Sequence, residues 1–155
     1  MADKRKIIVF GAICILFVMT VWMMFQPLMS AYADGAVACG RIYVYGIGFL
    51  IDFGAQGVLT VAFPFLLLLL LILEVDSPNK ECIWGFLNLA NALAFVRSLT
   101  YAKQWLCTEV SWDFKYHAGV IAYPMAMFAL AGLVFFWIYK YDGVEDEFDE
   151  EGETV

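Results

Sequence analysis

The 155-residue chain contains a single histidine, His117, and its four cysteines, Cys14, Cys39, Cys82 and Cys107, form no C-x-x-C pair. Zinc ribbons and thioredoxin-like redox sites need such pairs, and most metal sites need more imidazole. No metal and no cofactor is therefore expected. Charge is scarce as well, at 16% of residues. The net charge of -7 is local, because eight of the 16 acidic residues lie in 142–155, which has no Lys or Arg. Without that tail the balance is about +1, too little basic surface for a nucleic-acid partner. No repeat and no soluble domain is visible.

What the chain has is apolar length. It is 63% hydrophobic, with a mean hydropathy of +0.77. A soluble chain this short could not bury so much apolar surface, whereas a bilayer solvates it. Four apolar segments stand out, at 7–25, 42–73, 83–102 and 118–139. The expected fold is all-α: a four-transmembrane-helix bundle over 1–141, followed by an acidic, disordered tail at 142–155. The second segment would make a helix of about 48 Å, longer than the ~30 Å hydrocarbon core, so it tilts, projects or bends at Pro64. Segments 27–41 and 103–117 read as outer connections and 74–82 as a polar turn on the other side.

The positive-inside rule puts both termini in the cytoplasm. Lys4, Arg5, Lys6, Lys80 and Lys140 then lie inside, and Arg41, Lys103 and Lys115 outside. A rival reading takes the basic start, the first apolar run and Ala31-Tyr32-Ala33 as a cleaved signal peptide. The apolar run of 19 residues is long for one, since about 7–15 is usual.

In this topology Cys39 and Cys107 both face the oxidising side. A disulfide between the outer loops and two separate thiols remain open alternatives. Cys14 reads as a packing residue, and Cys82, at the inner membrane edge, as either a plain thiol or a lipidation site. The polar and charged residues within the apolar segments are Asp52, Gln56, Asn88, Asn91 and Arg97. Asn88 and Asn91, with Ser98 near their face, are expected to face other helices, because lipid offers their amides no partner. Asp52 and Arg97 either pair with each other or reach separately for the interface. Gly119, Ala122, Ala126, Ala129 and Gly132 recur at helical spacing, a small-residue face for packing within the bundle or against a partner. Trp84, Trp105, Trp112 and Trp137, with Tyr43, Tyr45, Tyr101, Tyr116, Tyr139 and Tyr141, fall near the segment ends, as interfacial aromatics do. The C-terminal Glu153-Thr154-Val155 fits a PDZ-type contact.

Several short runs resemble the MARVEL-type tetraspan vesicle proteins, the synaptogyrin and synaptophysin group. They are Ala38-Cys39-Gly40 before the second helix, and the amide-bearing third helix followed by Gln104-Trp105. The fourth helix adds Ile121-Ala122-Tyr123, Ala131-Gly132, Phe135-Phe136 and an aromatic-basic exit, Tyr139-Lys140-Tyr141. The chain departs from that group at the acidic Glu74-Val75-Asp76 turn and in lacking a tyrosine-rich tail. The resemblance implies a non-enzymatic organiser of sterol-rich or curved membrane. Such a protein would self-associate and escort other membrane proteins through secretory vesicles or at the plasma membrane. The alternative expectation is an accessory subunit of a channel, receptor or transporter.

Overall fold

A left-handed glycine marks where the second apolar segment breaks. The computed structural model describes residues 2–34, 39–52, 54–108 and 111–142. The side chains of 2–3, 33–34, 39, 51–52, 77, 107–108, 111–112 and 142 lie outside that description. The expected helix over 42–73 divides at Gly54, whose φ of +64° lies where only glycine sits without strain. Before it come a single 3-10 turn, Gly46–Gly48, and a short helix α2, Phe49–Asp52. After it α3, Gly54–Ile72, runs on through Pro64. Residues 42–45 belong to a strand instead. The excess length that a single 42–73 helix would have had is absorbed in this way.

The other long helices are α1, Ala2–Met23, α4, Ser77–Thr108, and α5, Gly119–Trp137, which ends in a π-helical turn, Ile138–Asp142. The third helix was expected to stop near 102, where Lys103-Gln104 ends the apolar run. It continues because its buried stripe continues: Asn91, Ala94 and Phe95, Ser98, Ala102 and Leu106 recur every three or four residues, all buried.

The expected all-α bundle is incomplete in one respect. The segments read as outer connections fold into a three-stranded antiparallel sheet, ordered β2-β1-β3, from β1 Pro27–Asp34, β2 Cys39–Tyr45 and β3 Ser111–Tyr116. β1 is central and buried from Leu28 to Ala31. The sheet is tied down at two places. Ile47 N–H donates to Met24 O at 2.9 Å and His117 N–H to Leu28 O at 2.9 Å. Close approach fixes a third. A Cβ on Gly119 would stand 2.6 Å from Pro27 O, so the start of α5 meets β1 only as glycine.

Below the sheet, α1 packs along α5, and α3 along α4. Aromatic pairs mark the α1–α5 seam and the lighter α1–α3 and α4–α5 contacts. Phe10 meets Trp137 at 5.8 Å, Phe17 meets Phe65 edge-on at 5.2 Å, and Tyr123 meets Phe95 at 5.7 Å. Among the described residues four helices are long and apolar enough to cross a membrane: Lys4–Met23, Gly54–Ile72, Pro78–Leu106 and Gly119–Tyr141. Their outward faces are apolar too, with Ile7 69%, Phe86 72% and Phe128 68% exposed. Contiguous surface of that kind is tolerated in lipid, not water. The chain is a multi-pass membrane protein.

Candidate functional site

The densest set of polar contacts lies in the sheet. Cross-strand partners share a face, and the register pairs Ser30 with Tyr43 and with Lys115, and Tyr32 with Arg41. Arg41 therefore lies diagonal to Ser30, and its Nη1 donates to Ser30 Oγ at 3.1 Å. His117, just past β3, places Nε2 2.8 Å from the same oxygen. Which of the two donates in that contact follows from the imidazole tautomer. A serine beside an imidazole is also the start of a nucleophile–base pair. Here Ser30 is 0% exposed, so a substrate carbonyl has no approach to it.

Asp113 completes the cluster through an irregularity. Between Ser30 and Tyr32 the β1–β3 register shifts, so that two steps on β1 face three on β3. The extra residue makes a bulge, and Asp113 in it has φ of +62°. Asp tolerates this region better than most non-glycine residues. The bulge turns its carboxylate across the central strand to an ion pair with Arg41 of β2. Lys115 Nζ joins at 3.2 Å. The result is an ionic strap from one edge strand to the other.

Hydrogen bonding from Arg41, and then from Lys115, holds the Asp113 carboxyl below the ordinary carboxylate range. A lowered folded pKa contributes stability that is present above the unfolded value and lost as pH falls through the folded one. Acidifying from pH 7 to about 5 should thus leave the strap intact, with loosening only below about pH 4. Asp113→Asn keeps a residue that tolerates the left-handed backbone and removes only the charge. We expect it to raise trypsin cleavage after Arg41 severalfold at neutral pH. Unchanged cleavage would mean that the strap does not hold β2.

The residues singled out in the sequence do not converge. Asn88 and Asn91 stand one turn apart on α4. Asn88 donates to Trp84 O of its own helix at 2.8 Å, and Asn91 reaches Met127 Sδ of α5 at 3.5 Å. Asn88 thus bonds within its own helix, to the carbonyl one turn back, and Asn91 across to α5. Ser98 is fully buried, and its Oγ has no partner among the described residues. Gln56, on α3, accepts at its backbone carbonyl from Thr60 Oγ1 at 3.1 Å. Arg97 is exposed, with its guanidinium 5.8 Å from the Tyr101 ring. Asp52 ends α2, and its side chain lies outside the described residues, as do those of Cys39 and Cys107. The proposed ion pair and disulfide therefore fall outside the description. Cys14 and Cys82 are exposed free thiols.

The small-residue face divides. Gly119 is buried against β1, Ala122 and Ala126 are half-buried, and Ala129 and Gly132 are exposed. Steps of three outnumber steps of four in that series, so it drifts around a 3.6-residue helix and leaves the packed side. Trp84 is more than an interfacial ring. Its Nε1 donates to Ala131 O at 3.0 Å, and the ring packs on Phe135 at 4.7 Å, joining α4 to α5. Among the described residues no three His, Cys, Asp or Glu side chains come together as a metal would require.

Ser30 and Asp113 were not singled out by sequence, and Tyr123 only as part of the Ile121-Ala122-Tyr123 run, with no contact assigned to it. Asp113 and Ser30 sit in segments whose strand character was not visible, and Tyr123 depends on a partner 63 residues away. No family model matches this sequence, no curated protein is detectably similar to it, and no solved structure matches it.

Proposed function

We propose that this chain is a non-enzymatic tetraspan that organises membrane or escorts other membrane proteins, with both termini in the cytoplasm. One observation carries this reading: the polar side chains that tie the helices and strands together are used on the protein's own architecture, while the outward surface is mostly apolar. Trp84 joins α4 to α5, Tyr123 joins α5 to α3, and Ser30, Arg41, Asp113 and His117 join the three strands. A transport path would need titratable groups converging in the membrane. A bundle whose outward faces are mostly apolar, with Arg97 as a charged exception near one end, suits contact with lipid and with other helices. Orientation follows from charge. The start of α1 and the end of α5 share the end opposite the sheet, with Lys6 over the Tyr141 ring at 5.5 Å. That end carries five of the eight cations used for the positive-inside assignment.

The MARVEL-type resemblance, with its sterol-rich vesicle membranes, belongs to this reading. A specific feature favours the second reading, an accessory subunit. Tyr43, Tyr45 and Tyr116 are exposed on the two edge strands of the sheet. Tyrosine is a frequent anchor in protein interfaces, and a larger outer domain could dock there.

Purification in mild detergent, with particle mass and composition read by mass spectrometry, separates the two. The chain alone or as a homo-oligomer, with lipid and vesicle proteins in varying amounts, is the expected result. One large channel, receptor or transporter at fixed stoichiometry would replace the organiser with the accessory subunit.

A further inference from the structure

Along the outward side of α4 the surface changes from apolar to polar within one turn. Phe86, Leu89, Leu93, Arg97, Thr100 and Gln104 are all exposed and recur in steps of three and four, so they form one continuous face. The first three are apolar and the last three polar. The change falls at the height where a bilayer itself changes. From the turn that joins α3 to α4, α3 rises about 27 Å to Gly54 and α4 about 30 Å to Arg97, at 1.5 Å per residue. A ~30 Å hydrocarbon core that starts at that turn ends at Arg97. The contacts agree with this height. Phe95 meets Phe49 of α2, just before Gly54, at 6.4 Å, and Tyr123, one turn into α5, at 5.7 Å. Arg97 therefore stands among the headgroups of the leaflet on the sheet side.

Arg97, Thr100, Tyr101 and Gln104 line a shallow recess of about 310 Å³. Thr100 turns its hydroxyl to its own helix, donating to Val96 O at 2.9 Å. The Arg97 guanidinium lies 5.8 Å from the Tyr101 ring, a contact that steadies it without using its N–H groups. Among the described residues those N–H groups meet no acceptor, and no carboxylate pairs with Arg97. Phe95 faces α2, and Arg97 lies about 200° further round α4, on the side away from α2.

We propose that this face of α4 binds an anionic phospholipid, with its phosphodiester on Arg97 and an acyl chain along Leu93, Leu89 and Phe86. Three features select that chemistry. A planar guanidinium with accessible donors matches the paired oxygens of a phosphate. The apolar track begins one turn below Arg97 and runs toward the bilayer centre, so the anion carries a chain. The recess of about 310 Å³ holds roughly ten heavy atoms at the ~30 Å³ that each water occupies in the liquid, enough for a phosphodiester and the glycerol beside it. A zwitterionic headgroup is the weaker occupant, because its own ammonium offsets the phosphate charge beside the guanidinium. The proposal rests on the chain spanning a membrane and not on the organiser reading, since an accessory subunit would hold such a lipid equally well.

The test uses the full chain in phosphatidylcholine nanodiscs doped with one of two photoreactive probes. One is a phosphatidylglycerol with a diazirine on its acyl chain; the other is the diacylglycerol with the same chains and no phosphate. Labelling at Leu89 and Leu93 is read by peptide mass spectrometry against Val18 of α1, which is also exposed and whose helix has no basic residue in its sheet-side turn. The phosphatidylglycerol is expected to favour the α4 face over Val18 about fivefold more than the diacylglycerol does, the upper end for an exposed ion pair. Arg97→Gln should bring the two probes to the same ratio, and Arg97→Lys should keep part of the difference. Equal ratios for the two probes in the unaltered protein would overturn the proposal, and that comparison needs no variant to fold. A preference that survives Arg97→Gln would overturn it as well. Inorganic phosphate in the buffer should leave the preference unchanged, since it lacks the chain. Loss of the preference to phosphate, but not to chloride at equal ionic strength, would assign the recess to a soluble anion instead. A cross-linked polypeptide covering Leu93 and excluding the lipid would overturn the proposal in favour of a partner helix. Failure of the organiser reading would appear in the particle composition and leave the probe ratios unchanged.

Discussion

Gly57→Ala is expected to destabilise the protein by about 3 kcal/mol or more, since overpacking against fixed backbone lies at the upper end of such costs. A Cβ at this position would stand 2.0 Å from Phe49 O and 2.8 Å from Phe49 C. Neither atom is the movable end of a side chain. Phe49 itself cannot retreat easily, because its side chain is fully buried and its ring lies 6.4 Å from that of Phe95 on α4. The short helix α2 thus folds back over the first turn of α3, and the left-handed Gly54 makes the reversal. Gly132→Ala is the matched control. It is also a helical glycine, but nothing lies within 4 Å of its Cβ position. There alanine should be neutral or stabilise by about 0.4–1 kcal/mol through the unfolded chain. Unfolding both variants in detergent by SDS titration gives the comparison. Midpoints that coincide would show that α2 does not cross α3 this closely.

The helices were legible because lipid removes the need for amphipathic patterning. A long charge-free run is itself the signal, and α1, α3 and α5 lie within such runs or close to their ends. The sheet was not legible, for a reason visible in β1. Leu28, Met29, Ser30 and Ala31 are all buried, so the strand lacks the alternation that marks a half-exposed one. β2 carries strong strand formers, Ile42, Tyr43, Val44 and Tyr45, but they lead directly into the second apolar run and read as its beginning. In β3 the bulge at Asp113 interrupts the period of two. The upper part of α4 was hidden by Lys103 and Gln104, which are exposed, while Ala102 and Leu106 on the opposite side stay buried under the sheet. In the membrane, Asn91 and Arg97 were visible as polar residues. Which atoms they would meet depended on helix crossing, which no pattern in one chain fixes.

Tyr123→Phe is expected to cost about 1–2 kcal/mol, and Pro64→Ala should remove most of that cost. Proline has no N–H, so Pro64 within α3 leaves the carbonyl four residues earlier, Thr60 O, without its helical donor. Tyr123 supplies the replacement, since its hydroxyl donates to Thr60 O at 3.1 Å from the neighbouring α5. Both residues are fully buried within the span, where water cannot substitute. The proline in one helix and the tyrosine in the other therefore act as a pair: the first frees an acceptor, and the second uses it to join α3 to α5. Restoring an N–H at position 64 gives Thr60 O a donor within its own helix, and the tyrosine hydroxyl becomes dispensable. A double-mutant cycle on Pro64→Ala and Tyr123→Phe should show a coupling of about 1 kcal/mol, beyond the ~0.3–0.5 kcal/mol expected of independent sites. Additive costs would mean that the freed carbonyl is satisfied elsewhere and that the tyrosine stabilises this seam by its ring alone. Tyr123→Ala separates that ring contribution. It removes the edge-on contact with Phe95 and leaves a cavity, for a loss of about 3 kcal/mol in either background.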